Sequence, residues 1–216
     1  MTDSGTTATR AADLTPDRQA ALVRRGRALE AITLGWNVIG ILVLAFAAVA
    51  AGSVALAGFG LDSLIEIGAS TVVLWELADS HRDRQRTGLR LIGVAFALLA
   101  IYLTTQSVWA LVAHHVAAHS PAGIAWTAAT ALVMLALAYG KHATGTALGN
   151  PVLTTEARVT VIDAALAVAV LAGLVLNARL GWWWADPATG LILVGYAVKE
   201  AAHLLHPSAR TEPETS

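Results

Sequence analysis

Cysteine is absent from this sequence and charge is scarce. Only 13% of the 216 residues are Asp, Glu, Lys or Arg, against roughly 25% in an ordinary soluble domain. Without cysteine there are no disulfides, no thiolate metal sites and no thiol nucleophile. The formal net charge is −1, so no basic surface for nucleic acid is expected. Residues 1–28 are polar and lack the apolar core of a secretory signal. No HExxH, no intramembrane Ser–His pair and no Gly-rich phosphate loop after a strand occur. An enzyme is therefore not expected.

What is abundant is apolar side chain. Hydrophobic residues make up 56% of the chain, or about 121 residues, close to the roughly 120 that six membrane helices of about 20 residues require. A soluble domain of this size has no interior large enough to hide them. The apolar runs place spans at Ala31–Ala51, Val54–Leu77, Leu89–Ala113, Gly123–Gly140, Glu156–Ala178 and Pro187–Leu205. The fourth is the weakest, being short and rich in Ala and Thr. The predicted organisation is a polar cytoplasmic segment over 1–28, carrying a surface helix from Thr15-Pro16-Asp17, a six-helix membrane domain over 29–206, and a short cytoplasmic tail over 207–216.

Basic residues orient the bundle. Arg10, Arg18, Arg24, Arg25 and Arg27 precede span one, Arg82, Arg84, Arg86 and Arg90 follow span two, Lys141 and Arg158 flank the turn after span four, and Lys199 and Arg210 end the chain. Every Lys and Arg except Arg179 thus falls on one side, which the positive-inside rule makes cytoplasmic, with both termini. Trp109 and Trp182–Trp184 fit an aromatic belt on the outer side. Asp186-Pro187 reads as the N-cap and first turn of span six. Glycines 35, 40, 58, 60, 190 and 195 read as points of close helix contact.

A few acids interrupt the apolar interior. Asp62 and Glu66 stand four apart in span two, and Glu156, Thr160 and Asp163 share one face of span five. Each charged group near the bilayer centre costs about 2.5–3.5 kcal/mol, so these side chains should point inward. Glu66, counted from Ser53, and Asp163, counted from Glu156, both fall about 10 Å from the inner edge of the hydrocarbon core at 1.5 Å per residue. The two acidic faces can meet at one level.

The stretch from Ser53 through Asp62-Ser63-Leu-Ile-Glu66 to Ser70 resembles the second membrane helix of cation diffusion facilitator transporters. Glu156 to Asp163, followed by Gly181-Trp-Trp-Trp-Ala-Asp186-Pro187, resembles that family's fifth helix and the approach to its sixth. The resemblance spans residues 30–206 and implies an all-α, cation-efflux-like bundle of six transmembrane helices. It implies export of divalent zinc, cobalt, iron, manganese or cadmium in exchange for protons, and a homodimer. Asp62 and Glu66 match the family's acidic pair on helix two, with Glu in place of the usual Asp. Asp163 matches the last position of its His/Asp-x-x-x-Asp pair on helix five. Val159 occupies the first position of that pair and cannot bind metal; Thr160 and Glu156 are candidate replacements on the same face. The family's cytoplasmic metallochaperone-like domain is expected to be missing, making this a short branch.

Metal and protons compete for a carboxylate's oxygens, which suits an antiporter. With neither Cys nor intramembrane His, the ligands are all oxygen, favouring Mn²⁺ or Fe²⁺, although zinc and cobalt also accept carboxylates. The partners expected are divalent ions, protons and lipid, with no permanently bound cofactor, in the plasma membrane of a bacterium. The competing reading is a non-transporting scaffold or partner subunit whose metal site has decayed. Each candidate also has a plainer role. Asp62 and Glu66 read equally as an interhelical hydrogen-bond pair, Glu156 as a first-turn acid on the helix dipole, Thr160 as bonded to its own helix, and Asn37 as a bridge between helices. Ser63 reads as site support or as a small packing residue. The histidines at 114, 115, 119, 203 and 206 read as solvated.

Overall fold

Local stop and start signals divide the apolar chain into helices. Thr15-Pro16, Ser120-Pro121 and Asn150-Pro151 each put a proline where a first-turn N–H has no helical partner. The Ser120 hydroxyl accepts from Gly123 N at 3.1 Å, and Asn150 Oδ1 accepts from Leu153 N at 3.1 Å. Gly52 and Gly149 end helices at φ of 62° and 61°, a backbone region that penalises any Cβ.

The computed structural model describes residues 15–78 and 82–205. It contains α1 (Pro16–Ala51), α2 (Val54–Ala78), α3 (Arg82–Val112), α4 (Pro121–Leu148), α5 (Pro151–Leu180) and α6 (Ala185–Leu205). No strand occurs among the described residues. Five helices are long and apolar enough to cross a membrane: α1, α3 from Arg90, α4, α5 from Leu153, and α6. The protein is an all-α, multi-pass membrane-type molecule. Arg10, Arg210, His206 and the tail lie outside the described residues.

Four helix ends run well past the sequence reading; α3 starts at Arg82 and not Leu89, α5 at Pro151 and not Glu156, and two others, the start of α1 and the end of α4, extend further. No break falls at residue 28: α1 is a single helix of 36 residues, about 54 Å long at 1.5 Å per residue. The fourth span, expected to end at Gly140, belongs to a 28-residue helix that continues to Leu148. Both extensions are polar, and hydropathy marks only the length of a helix inside hydrocarbon.

The helices are apolar on the outside as well. On α1 the buried residues Gly26, Thr33, Asn37, Gly40, Leu44, Ala47 and Ala51 recur at three, four or seven, which is one helix face. The opposite face presents Leu42, Phe46 and Val49, the last 86% exposed. Small and polar inside with large aliphatics outside suits lipid as solvent, where close backbone approach replaces the hydrophobic effect. Packing is closest within the α4–α5 and α3–α6 pairs; α1 packs on α2 and α4, and α2 touches α1, α3, α5 and α6. Trp36 stacks on Trp126 of α4 with centroids 4.7 Å apart and donates to Thr130 Oγ1 at 3.1 Å. Gly40 lies against the same Trp126. Gly58, Gly60 and Gly190 are likewise contact points, but Gly35 and Gly195 face open space, correcting two of the six expected contacts.

One end of the bundle is aromatic. Trp182 stacks on Trp184, His114 meets Trp183, and Trp109 meets His115. Asp186 behaves differently from its Asp-Pro reading. It lies inside the first turn of α6, is 1% exposed, and accepts from Val54 N at 2.9 Å and from the Ser53 hydroxyl. Ser53 Oγ in turn accepts from Leu56 N. Asp186 therefore caps α2, 132 residues away, and not its own helix.

Candidate metal centre

Within α2, a spacing of four places Asp62 and Glu66 on one side of the helix, the side that packs towards α5 and α6. Asp163 of α5 meets them there. A carboxylate oxygen from each of the three lies within 4.8 Å of the other two. Oxygens opposed across a divalent ion sit about 4.2 Å apart at bond lengths near 2.1 Å, so a small side-chain rotation closes the set. Asp62 is 2% and Asp163 6% exposed, and Glu66 is half-buried.

The hydrogen bonding of the three acids is incomplete. Glu66 and Asp163 each bring a carboxylate oxygen within 4.8 Å of the other, and two carboxyl groups this close can hydrogen-bond only when one carries a proton, since an ionised carboxylate has nothing to donate. Asp62 Oδ1, Glu66 Oε1 and Asp163 Oδ1 remain buried without a partner. Buried polar atoms are nearly always bonded, and leaving one unmade costs about 1–3 kcal/mol, more for a charged group. Each of the three clustered acids thus holds a buried oxygen without a partner, an arrangement chemically suited to accepting a cation. Tyr196 and Glu200 of α6 lie within electrostatic reach, Glu200 of Asp62 and Tyr196 of all three acids.

A cavity of about 180 Å³ leads to Glu66 and Asp163; Glu30, Thr33, Asn37, Lys141, Glu156, Val159 and Thr160 line its sides. Of the five residues expected to hold metal, the fold brings Asp62, Glu66 and Asp163 together. Glu156 stands apart on the cavity wall. Thr160 donates to Glu156 O at 2.8 Å and accepts from Lys141 Nζ at 3.2 Å, so its hydroxyl is committed elsewhere. Ser63 donates to Phe59 O on its own helix at 3.1 Å. Val159 lines the cavity and offers only methyl groups. Asn37 lines it too.

Neither a known protein family nor a curated protein matches this chain. The reading of the site therefore rests on its geometry.

Two cavity residues escaped the sequence reading. Lys141, expected to mark a cytoplasmic turn, is 1% exposed inside α4 and donates to Glu30 Oε2 at 3.0 Å. The signal was present: Thr127, Thr130, Met134, Leu137, Lys141 and Thr144 recur at three or four along one buried face. Taking every lysine as a membrane-edge marker concealed it. Glu30 lies one residue before the first apolar run, outside the stretches in which an acid stands out.

Proposed function

We propose that this protein is a carrier of divalent metal cations that exchanges them for protons at Asp62, Glu66 and Asp163. The observation that carries the reading is the clustering of Asp62, Glu66 and Asp163 from two helices, each with a buried oxygen that has no partner, beside a cavity lined by Glu66 and Asp163. Intramembrane carboxylates are expensive and generally functional. The proton shared by Glu66 and Asp163 leaves when a cation takes its place between their oxygens, and returns when the cation departs. Carboxylates offer hard oxygen donors, so the cargo is a divalent ion such as Mn²⁺, Fe²⁺, Zn²⁺ or Co²⁺.

In this reading α2, at 25 residues, is the sixth crossing, since its length of about 37 Å exceeds a core of about 30 Å. Both termini then lie in the cytoplasm, and the aromatic end faces outward. The chain is a member of the cation diffusion facilitator family, as the Ser53–Ser70 motif suggests, acting in export. Uptake of Mn²⁺ or Zn²⁺ into proteoliposomes under a pH gradient tests the reading. Transport is expected in the wild type and lost in Asp62→Ala; equal transport by the two would refute it. Val159 favours the other reading, a decayed site in a scaffold subunit. Calorimetry separates the two, because a decayed site takes up no ion.

A further inference from the structure

Lys141 stands where a cation carrier would least be expected to hold a fixed positive charge. Among the described residues it is the only basic one lining the cavity that Glu66 and Asp163 also line. Its ammonium bonds Glu30 Oε2 at 3.0 Å and Thr160 Oγ1 at 3.2 Å. Thr160 lies three residues before Asp163 on α5, about 4.5 Å along the axis, and Lys141 is within electrostatic reach of both Asp163 and Glu156. The second oxygen of Glu30 is buried without a partner, so this pair does not saturate its own hydrogen bonding. A lysine on a flexible four-carbon stem can turn among several acceptors, which a planar guanidinium does less readily.

We propose that Lys141 is a resident counter-cation of the metal site, held back from the three acids by Glu30, which weakens cargo binding so that the ion can be released. The proposal rests on the reading of Asp62, Glu66 and Asp163 as the cargo site. A fixed ammonium within reach of Asp163 offsets part of the charge of the site and repels an arriving dication. Glu30 sets how far the ammonium stands from Asp163. Removing the lysine and removing its tether should therefore act in opposite directions.

The test is Mn²⁺ titration by calorimetry on the full chain in nanodiscs, at one pH, with thermal unfolding as a check on folding. Lys141→Gln is expected to lower Kd about tenfold or more, the scale of a lost charge–charge repulsion in a partly buried site. Lys141→Arg keeps the charge and should restore binding to within about threefold of wild type. Glu30→Gln is expected to raise Kd several-fold, as the freed ammonium turns towards Asp163, and to have a smaller effect in the Lys141→Gln background. An unchanged or raised Kd in Lys141→Gln overturns the proposal. If that variant does not fold, an unchanged or lowered Kd in Glu30→Gln overturns it equally. Absence of binding to Mn²⁺, Zn²⁺ and Co²⁺ by the wild type overturns the metal-site reading itself, a distinct failure.

Discussion

At the residue scale, the deciding contrast is between Asp163 and Val159, four positions apart on α5. Both line the same cavity, yet only one carries a ligand, so the site has three convergent oxygens where four-coordinate sites use a further protein donor or water. Placing imidazole at that position should complete a tetrahedral set. Val159→His is expected to tighten Zn²⁺ binding about tenfold or more while changing Mn²⁺ binding less, because imidazole nitrogen suits zinc and manganese prefers oxygen; competition titrations of the two ions check this. Glu66→Gln keeps the size of the side chain but removes a negative charge, and should raise Kd for either ion at least about tenfold. The three acids were legible in the sequence because charge in an apolar run announces itself and a spacing of four fixes the face. The bond of Thr160 to its own helix at Glu156 O was legible too, but the Lys141 ammonium that its hydroxyl accepts from, 19 residues away, was not.

At the element scale, the helices were legible where they are apolar and illegible where they leave the hydrocarbon. Residues 16–30 of α1 and 141–148 of α4 continue their helices as polar extensions, and hydropathy has no purchase there. Asp186 shows a second limit. Its Asp-Pro neighbourhood is that of a local cap, but its acceptors are used on Val54 N and the Ser53 hydroxyl, a tertiary choice that no local pattern contains. Asp186→Ala would leave the Val54 N–H and the Ser53 hydroxyl buried without this partner, at a cost of about 1–3 kcal/mol. The expected result is a lower unfolding temperature in detergent with divalent-ion affinity unchanged, because Asp186 bonds the first residue of α2, about 18 Å along the helix from Glu66 at 1.5 Å per residue.

At the scale of the whole molecule, large apolar side chains lie on the outer surface as well as in the packed interior. Phe46 and Val49 on α1, 74% and 86% exposed, face outward, while Asp62, Lys141 and Asp163 are buried. Phe46→Asp is expected to impair insertion by about 2.5–3.5 kcal/mol on translocon scales, measured as the membrane-inserted fraction of a glycosylation-tagged chain. Six crossings make a specific claim about sidedness. Reporters fused before residue 16 and after residue 205 should both be cytoplasmic, and one inserted at Gly181 should be external; termini on opposite sides would exclude six crossings. The charge pattern is what raises this arrangement as an expectation, and Lys141, buried inside α4, does not fit the edge position that pattern gave it.

The clamp of Asp186 and Ser53 on the first turn of α2 has a mechanical consequence. It pins one end of the helix that carries two of the three acids, so α2 is a lever with its fulcrum at Ser53. Glu66 stands 13 residues along that arm, about 19 Å from the fulcrum at 1.5 Å per residue, and a tilt of about 10° sweeps its carboxylate through about 3 Å. That stroke exceeds the length of a metal–oxygen bond, whereas Asp62, nearer the pin, travels less. Asp62, nine residues from the pin, moves about 2.3 Å under the same tilt, so rocking this one helix shifts both of its acids relative to Asp163.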